Sequence, residues 1–257
     1  MANTTKGRVE VSNAALQFKC GSAVLTALSS TTITLEPGSF TALVGPSGCG
    51  KSSLLNMVAG FQRPSAGKIL VDGREIIAPT PEVGVVFQQY ALFPWFTAGG
   101  NVEFALKRFG LSRSKRRESS RQALAEVGLA ERIDQYPGQL SGGMKQRVAL
   151  ARTFAAAPNV LLMDEPFGAL DALTRWSMHT LLLEVWQKHR VTVLFVTHDV
   201  DEALFLSDRV HVMSRGPGRV VETIDIAEPR PRQMGTSTPL ANARSRILEL
   251  LSHTAEV

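Results

Sequence analysis

Apolar residues run through this chain in short, nearly continuous blocks, separated by longer stretches in which they recur every three or four positions. Phe40–Val44 (FTALV), Val83–Phe87 (VGVVF), Val160–Asp164 (VLLMD) and Thr192–Thr197 (TVLFVT) are such blocks, rich in β-branched or aromatic residues. That pattern predicts strands covered on both faces, as in a parallel sheet. From Gln88 to Pro158 no comparable block occurs, and helical patterns broken at Gly128, Pro137 and Pro158 predict an inserted helical subdomain. Near the start, RVEVSNAALQF and TTITLEPGSF alternate polar and apolar around a Glu-Pro-Gly turn, which predicts an antiparallel hairpin layer beside the main sheet. After Ala227, EPRPRQMGTSTP reads as a linker, and Leu240, Ala243, Ile247 and Leu250 recur at helical spacing, predicting one docked closing helix. No internal repeat is visible. The expected organisation is an α/β core of residues 1–87 and 159–226, a helical subdomain of 88–158, and a linker and helix over 227–257.

With 257 residues, 44% hydrophobic and 20% charged, the chain can bury a core, which excludes a disordered tail or a collagen-like repeat. The balance of 28 basic against 23 acidic residues, a net +5, is weak evidence for any polyanion partner. Cys20 and Cys49, the two cysteines, argue for a reducing compartment and against a disulfide scaffold. MANTTKGRVEVSN has no apolar run after its first Lys, and no block approaches the roughly 18 apolar residues of a spanning helix, so the chain is not expected to cross a membrane itself.

Candidate chemistry begins at Gly45–Ser52 (GPSGCGKS), placed between the FTALV strand and the helical pattern SLLNMVAG. That context makes a phosphate loop: its glycines let successive N–H groups point at a nucleotide's phosphates, with the positive end of the following helix behind them. Lys51 would pair with the β and γ phosphates and Ser52 would place its hydroxyl on Mg²⁺. Cys49 reads as a small packing residue rather than a redox centre. Strands of a parallel sheet present ligands at their carboxyl ends, so Asp164 and Glu165 should arrive beside that loop, the first suited to Mg²⁺ and the second to a general base for water. His198 ends another strand and could hydrogen-bond a γ-phosphate or the lytic water, while Gln88 could reach Mg²⁺ or the water by its amide oxygen. In LSGGMKQR, Ser141 caps a helix whose first N–H groups are exposed by Gly142 and Gly143, a second anion site that one nucleotide does not need.

With that motif the chain resembles the ATP-binding-cassette ATPases, from about Val9 to Ile226. The resemblance implies a P-loop NTPase of α/β class, a RecA-like core with an antiparallel β layer and an inserted α-helical subdomain. It implies that Phe18 stacks on adenine, where the family more often has Tyr, and that Gly45, Pro46, Ser47, Gly48, Cys49, Gly50, Lys51, Ser52 and Ser53 hold ATP. Gln88 matches the hinge glutamine, Asp164 the Mg²⁺ aspartate, Glu165 the catalytic base, Asp171 the loop that communicates across the dimer, and His198 the switch histidine. Lys51, Gln88, Glu165 and His198 are then the catalytic set, and Ser52, Gln88 and Asp164 the Mg²⁺ set. Two copies would bind two ATP head to tail, each site completed by the other subunit's Ser141, Gly142 and Gly143.

GVVFQQYALFPWFT, PFGALDALTR and THDVDEALFLSDRVHVMSRGPGRV look like the ATPase subunits of bacterial nitrate, taurine and aliphatic sulfonate importers. In TAGGNV, Gly99 and Gly100 stand where that group is generally bulkier. The implied role is the energy-coupling subunit of an importer, peripheral on the cytoplasmic face of the inner membrane, with two transmembrane permease subunits, a periplasmic or extracellular solute-binding protein and no nucleic acid. A soluble cassette ATPase acting on DNA or ribosomes, a lone P-loop kinase and an exporter subunit are the alternatives. The basic run Arg113–Arg121 reads as a solvated helix face or as a contact for anionic lipid headgroups, and Phe93, Trp95 and Phe96 as core or as an anchor patch for the membrane subunit.

Overall fold

The computed structural model describes residues 6–21, 23–232 and 237–253. Strands β1 (Val9–Cys20), β2 (Ala23–Leu35), β3 (Phe40–Val44), β4 (Ala66–Val71) and β5 (Arg74–Glu75) fill the first part of the chain, with α1 (Lys51–Val58) after β3. β6 (Val83–Val86) leads into α2 (Ala98–Leu106), α3 (Arg113–Glu126) and α4 (Gly142–Ala155). Then come β7 (Val160–Asp164), α5 (Ala172–His189), β8 (Thr192–Thr197), α6 (Val200–Leu206), β9 (Arg209–Met213), β10 (Val220–Asp225) and α7 (Thr238–His253). Two compact units result: Met1–Val83, Val160–Asp164 and Arg190–Val257 form one, Gly84–Asn159 and Glu165–His189 the other.

In the first unit an antiparallel sheet of order β2-β1-β4-β5 lies apart from a sheet in which β10, β9, β3, β8 and β7 follow one another. Val9, Val11, Ala14 and Leu16 of β1 are all buried, as the alternation predicts. β3 pairs in parallel with β8 and β9, and β8 in parallel with β7. Their unbroken apolar runs follow from cover on both faces: every residue of β3 and β8 is buried. On one face Ala42, Val44, Val210 and Val212 meet Ala203 and Leu204 of α6 and Leu240 and Ile247 of α7, with Ala243 and Leu250 at the edge. The four-residue stripe foreseen in the tail is thus the docking face of α7, and Ile247→Ala alone is expected to cost about 2–5 kcal/mol. Part of the expected linker, residues 227–232, is tied down as well, while 233–236 lie outside the described residues. Arg230 pairs with Asp208, and the buried Arg232 donates to the Leu204 and Ser207 carbonyls at the end of α6.

His211 in β9 is buried on the opposite alternation, its Nδ1 2.8 Å from Thr223 Oγ1 and its Nε2 unpartnered. Burial first, and the Arg209 charge second, hold its pKa at about 4 against an ordinary 6.5, with Asp225 opposing. Because the folded value is the lower one, its contribution is complete above pH 6.5 and is lost as pH falls toward 4. Stability should drop by up to about 1.4 kcal/mol per pH unit across that window. Urea unfolding at pH 7 and pH 5 should show a smaller difference for His211→Gln than for the parent.

The second unit is helical. Val102, Leu106, Leu124, Ile133, Val148 and Phe154 are buried where α2, α3 and α4 pack on one another. Glu165–His189 belongs here rather than with the sheet that the sequence assigns it to, because α5 packs on α4 and its last residue, His189, meets Glu126 at 2.9 Å and the Phe154 ring at 5.0 Å. Gly99 has a packing reason: a Cβ there would lie 2.5 Å from Ile133 Cγ1. Arg117, from the basic run, is spent on Glu103 and Asp134, and Arg116 on the Leu111 carbonyl.

Candidate functional site

The loop from Gly45 to Gly50 joins β3 to α1, and Gly48 and Gly50 take φ of +76° and +94°, the region only glycine enters freely. No side chain caps α1 and its first turn holds no acid, so its N-terminal N–H groups face the loop uncontested. Lys51 is buried, and its Nζ donates to the Gly45 and Pro46 carbonyls at 2.7 and 2.9 Å, curled into the loop where phosphate oxygens would claim it. Cys49 is fully buried, and burial pushes its thiol pKa up, which keeps it protonated and suits the packing role. Ser47 stands exposed at the rim and Ser53 half-buried in the first turn.

One residue on, Ser52 Oγ donates to Asp164 Oδ1 at 3.1 Å. A hydroxyl and a carboxylate at that spacing are hard oxygen donors, fitting Mg²⁺, which takes one or two protein ligands and fills the rest with phosphate and water. Among the described residues no cluster of three or more His, Cys, Asp or Glu could hold a metal by itself. Register explains the convergence: Val44 lies opposite Thr197 and Asp164 opposite Val196, so β3, β7 and β8 end level and His198 emerges, exposed, at the same sheet edge. β2 runs beside the loop, since a Cβ on Gly50 would fall 2.8 Å from the Ala27 carbonyl. A short way along that hairpin Phe18 stands partly exposed opposite the exposed Leu25, an apolar shelf of the kind a base stacks on.

In the second unit, Glu165 follows β7 with φ of +42°, a strained value for a residue with a side chain. A Cβ built on Gly168 would lie 3.7 Å from Gln88 Nε2 and 3.9 Å from Glu165 Oε2, so the exposed amide and the half-buried carboxylate flank one point. Ser141 caps α4 by accepting the Met144 N–H at 3.3 Å. A Cβ on Gly143 would come within 2.7 Å of Thr174 Cγ2 and one on Gly142 within 3.0 Å of the Tyr90 hydroxyl, so glycine lets α4 start close against α5. Ser141, Gly143, Arg147, Thr174 and Ser177 line a cavity of about 540 Å³. Asp171 accepts the Thr174 N–H at 3.0 Å, a bond that lowers its pKa and caps α5. Lys51, Ser52, Asp164, His198 and Phe18 therefore share the first unit, and Gln88, Glu165, Asp171, Ser141, Gly142 and Gly143 the second.

Sequence reasoning missed two residues here. Gly218 lies so close beneath the loop that a Cβ would fall 1.6 Å from the Cys49 carbonyl, and its own carbonyl accepts the Ser29 N–H. The Gly-Pro-Gly run in SRGPGRV is the available signal. Asn101, fully buried, accepts the Phe93 N–H and donates to the Phe93, Phe96 and Thr97 carbonyls, fixing the aromatic segment. As for the rings, Trp95 is 67% exposed and Phe104 44%, while Phe93 and Phe96 are half-buried; Phe93 meets Phe104 at 4.7 Å in a tilted contact, and the Arg152 guanidinium lies over the Phe93 ring at 5.7 Å. They form a cluster that is exposed at Trp95 and Phe104 and half-buried beneath.

The family profile described as ABC transporter matches residues 28–168, more than half of the chain and the span from β2 past Glu165. The chain belongs to the ABC transporter family. This ABC ATPase is 52% identical over 229 residues to a putative ATP-binding protein of Brucella abortus (strain 2308), covering 88% of each chain. It is 49% identical over 210 residues to the bicarbonate transport ATP-binding protein CmpD of Synechococcus elongatus (80% of this chain, 76% of that one). It is 50% identical over 198 residues to the taurine import ATP-binding protein TauB of Chromobacterium violaceum (77% and 76%). In fold it matches a dimeric ATP-binding cassette solved in a post-hydrolysis state with ADP and Pi, at TM-score 0.76 and 30% identity, over 86% of this chain and all of that one. The ABC chain therefore has the P-loop ATPase fold and is an ATP-hydrolysing subunit of a transporter.

Proposed function

We propose that this ABC ATPase energises uptake of a small anion, of the bicarbonate, nitrate, taurine or sulfonate kind, from the cytoplasmic face of the membrane. The observation that carries the reading is a phosphate loop and a separate helix N-terminus at Ser141 with no acid in its first turn, two anion sites in one chain where one nucleotide needs one. Two copies arranged head to tail use both. The anion class rests on the bicarbonate and taurine relatives at about half identity. Among the described residues no helix is long and apolar enough to cross a membrane, so two permease subunits supply the path and a solute-binding protein delivers the cargo.

In the proposed reaction Lys51 and the N–H groups of the loop hold the β and γ phosphates of ATP. Ser52 and Asp164 would hold Mg²⁺, which when bound spreads the charge on the transferring phosphoryl group. Glu165 accepts the proton of the attacking water, Gln88 and His198 orient that water and the γ-phosphate, and Phe18 carries the adenine. The partner's signature loop closes over the γ-phosphate, and closure drives the permeases. Co-purification from membranes followed by an ATPase screen against bicarbonate, nitrate, taurine and alkyl sulfonates tests the reading: one of these anions should stimulate hydrolysis, and stimulation only by uncharged or cationic solutes would contradict it.

The exposed rings of Trp95 and Phe104, with the half-buried Phe93 and Phe96 beside them, are the proposed seat of the permease. Trp95→Ala should leave the unfolding midpoint and solution ATPase near those of the parent, since the ring is largely in water, yet weaken assembly with the membrane subunits by about 2 kcal/mol. Normal assembly, or a strongly lowered midpoint, would count against this seat.

A further inference from the structure

Two residues past Gln88 the backbone turns against its own preference. Tyr90 and Ala91 take φ of +31° and +46° in succession, in the left-handed region that a residue with a side chain enters only at a cost. One guanidinium meets that turn. Arg152, in the last turn of α4, donates through Nη1 to the Ala91 carbonyl at 2.6 Å and through Nη2 to the Tyr90 carbonyl at 3.4 Å, and it lies over the Phe93 ring at 5.7 Å. Among the described residues no carboxylate pairs with Arg152, and burial pushes its pKa down. A half-buried cation without an acid partner is costly unless something specific is gained. What this side chain gains is its hold on residues 90, 91 and 93. Further on, Asn101 fixes the same segment at Phe93, Phe96 and Thr97. Gln88 stands two residues past the end of β6 and two before the turn, so the turn decides the course of the chain that carries it.

We propose that Arg152 is the positioning residue of Gln88: its guanidinium holds Tyr90 and Ala91 in the left-handed turn, and that turn sets where the Gln88 amide stands beside Glu165. The inference rests on the proposed role of Gln88 in orienting the water. Arginine suits the task because its planar fork offers N–H groups to two successive carbonyls at once. Without it the two residues relax toward negative φ and the amide leaves its place, and an error of about 1 Å can cost 10²-fold in rate. The loss should appear in kcat and leave KM unchanged, because the phosphate loop and Lys51 hold ATP. It should also vanish when the amide is absent, since there is then nothing to position.

The experiment is steady-state Mg-ATP hydrolysis by the full chain, with unfolding midpoints as control, for the parent, Arg152→Met, Arg152→Lys, Gln88→Ala, and Arg152→Met combined with Gln88→Ala or with Ala91→Gly. Arg152→Met, which keeps a long side chain but no donor, should lower kcat about tenfold at unchanged KM, and its pair with Gln88→Ala should be no slower than Gln88→Ala alone. Arg152→Lys, with a donor for one carbonyl, should lose less. Ala91 is exposed, so glycine there removes little packing, and glycine enters positive φ freely. Adding Ala91→Gly to Arg152→Met should therefore raise kcat about threefold, a recovery that loss of packing at Arg152 would not show. If Arg152→Met fails to fold, Arg152→Lys carries the same test: a smaller loss in kcat, recovered by Ala91→Gly and masked by Gln88→Ala. A normal kcat in Arg152→Met beside a slow Gln88→Ala would overturn the positioning role and leave the reading of Gln88 standing. A normal kcat in Gln88→Ala would overturn the role of Gln88 and this inference with it. Losses that multiply in the pair, or no recovery with Ala91→Gly, would show that Arg152 acts on something other than the amide.

Discussion

Glu165→Gln is expected to bind ATP as the parent does and to turn it over about 10²- to 10⁴-fold more slowly, the range that removal of a positioned general base produces. The amide is nearly isosteric with the carboxylate but cannot accept the proton of the attacking water. Binding should survive because the phosphate loop lies in the other compact unit, where Lys51 and the α1 N-terminus do the holding. The backbone at Glu165, with φ of +42°, holds the carboxylate in a place that relaxed geometry would not choose, beside Gln88 and Gly168. In the proposed head-to-tail dimer an unreactive ATP would keep the two copies closed, so size-exclusion chromatography with Mg-ATP should show a lasting dimer. Single-turnover hydrolysis at the parental rate would remove Glu165 from the role of base.

The second large effect separates the two anion sites. Lys51→Ala removes the buried ammonium at the centre of the loop and should abolish tight ATP binding by the isolated chain. Ser141→Arg should leave that binding intact and block ATP-driven dimerisation, because it removes the Met144 cap and puts a long side chain at the start of α4. Fluorescent-nucleotide titration and light scattering read the two properties separately. Equal loss of ATP binding in both variants would mean that Ser141 serves the nucleotide of its own chain.

Much of this was legible in the sequence because the strands that carry the site are buried on both faces. FTALV, VLLMD and TVLFVT could be bounded to the residue, since an unbroken apolar run ends where the chain meets solvent and ligand. VGVVF ends one residue early, at Val86, because Phe87 is already exposed. The phosphate loop was legible for a related reason: its glycines and Lys51 are local requirements, satisfied within eight residues of chain. What stayed hidden depends on distant neighbours. The Gly-Pro-Gly run at Gly218 marks a tight turn but not that it lies on the distant Cys49 carbonyl, and EPRPR reads as a spacer until Arg232 is seen filling the end of α6. α5 likewise joins the helical unit through contacts such as Thr174 with Gly143, which no periodicity within α5 encodes.

Mixing the two defective chains tests the composite site most directly. In a head-to-tail dimer of Lys51→Ala with Ser141→Arg, one site takes its phosphate loop from the Ser141→Arg chain and its signature loop from the Lys51→Ala chain, so it is whole, while the other site lacks both. Each variant alone should be inactive, and the equimolar mixture should recover ATPase activity that rises more steeply than linearly with total protein. A mixture no more active than its two components would contradict the two-copy site.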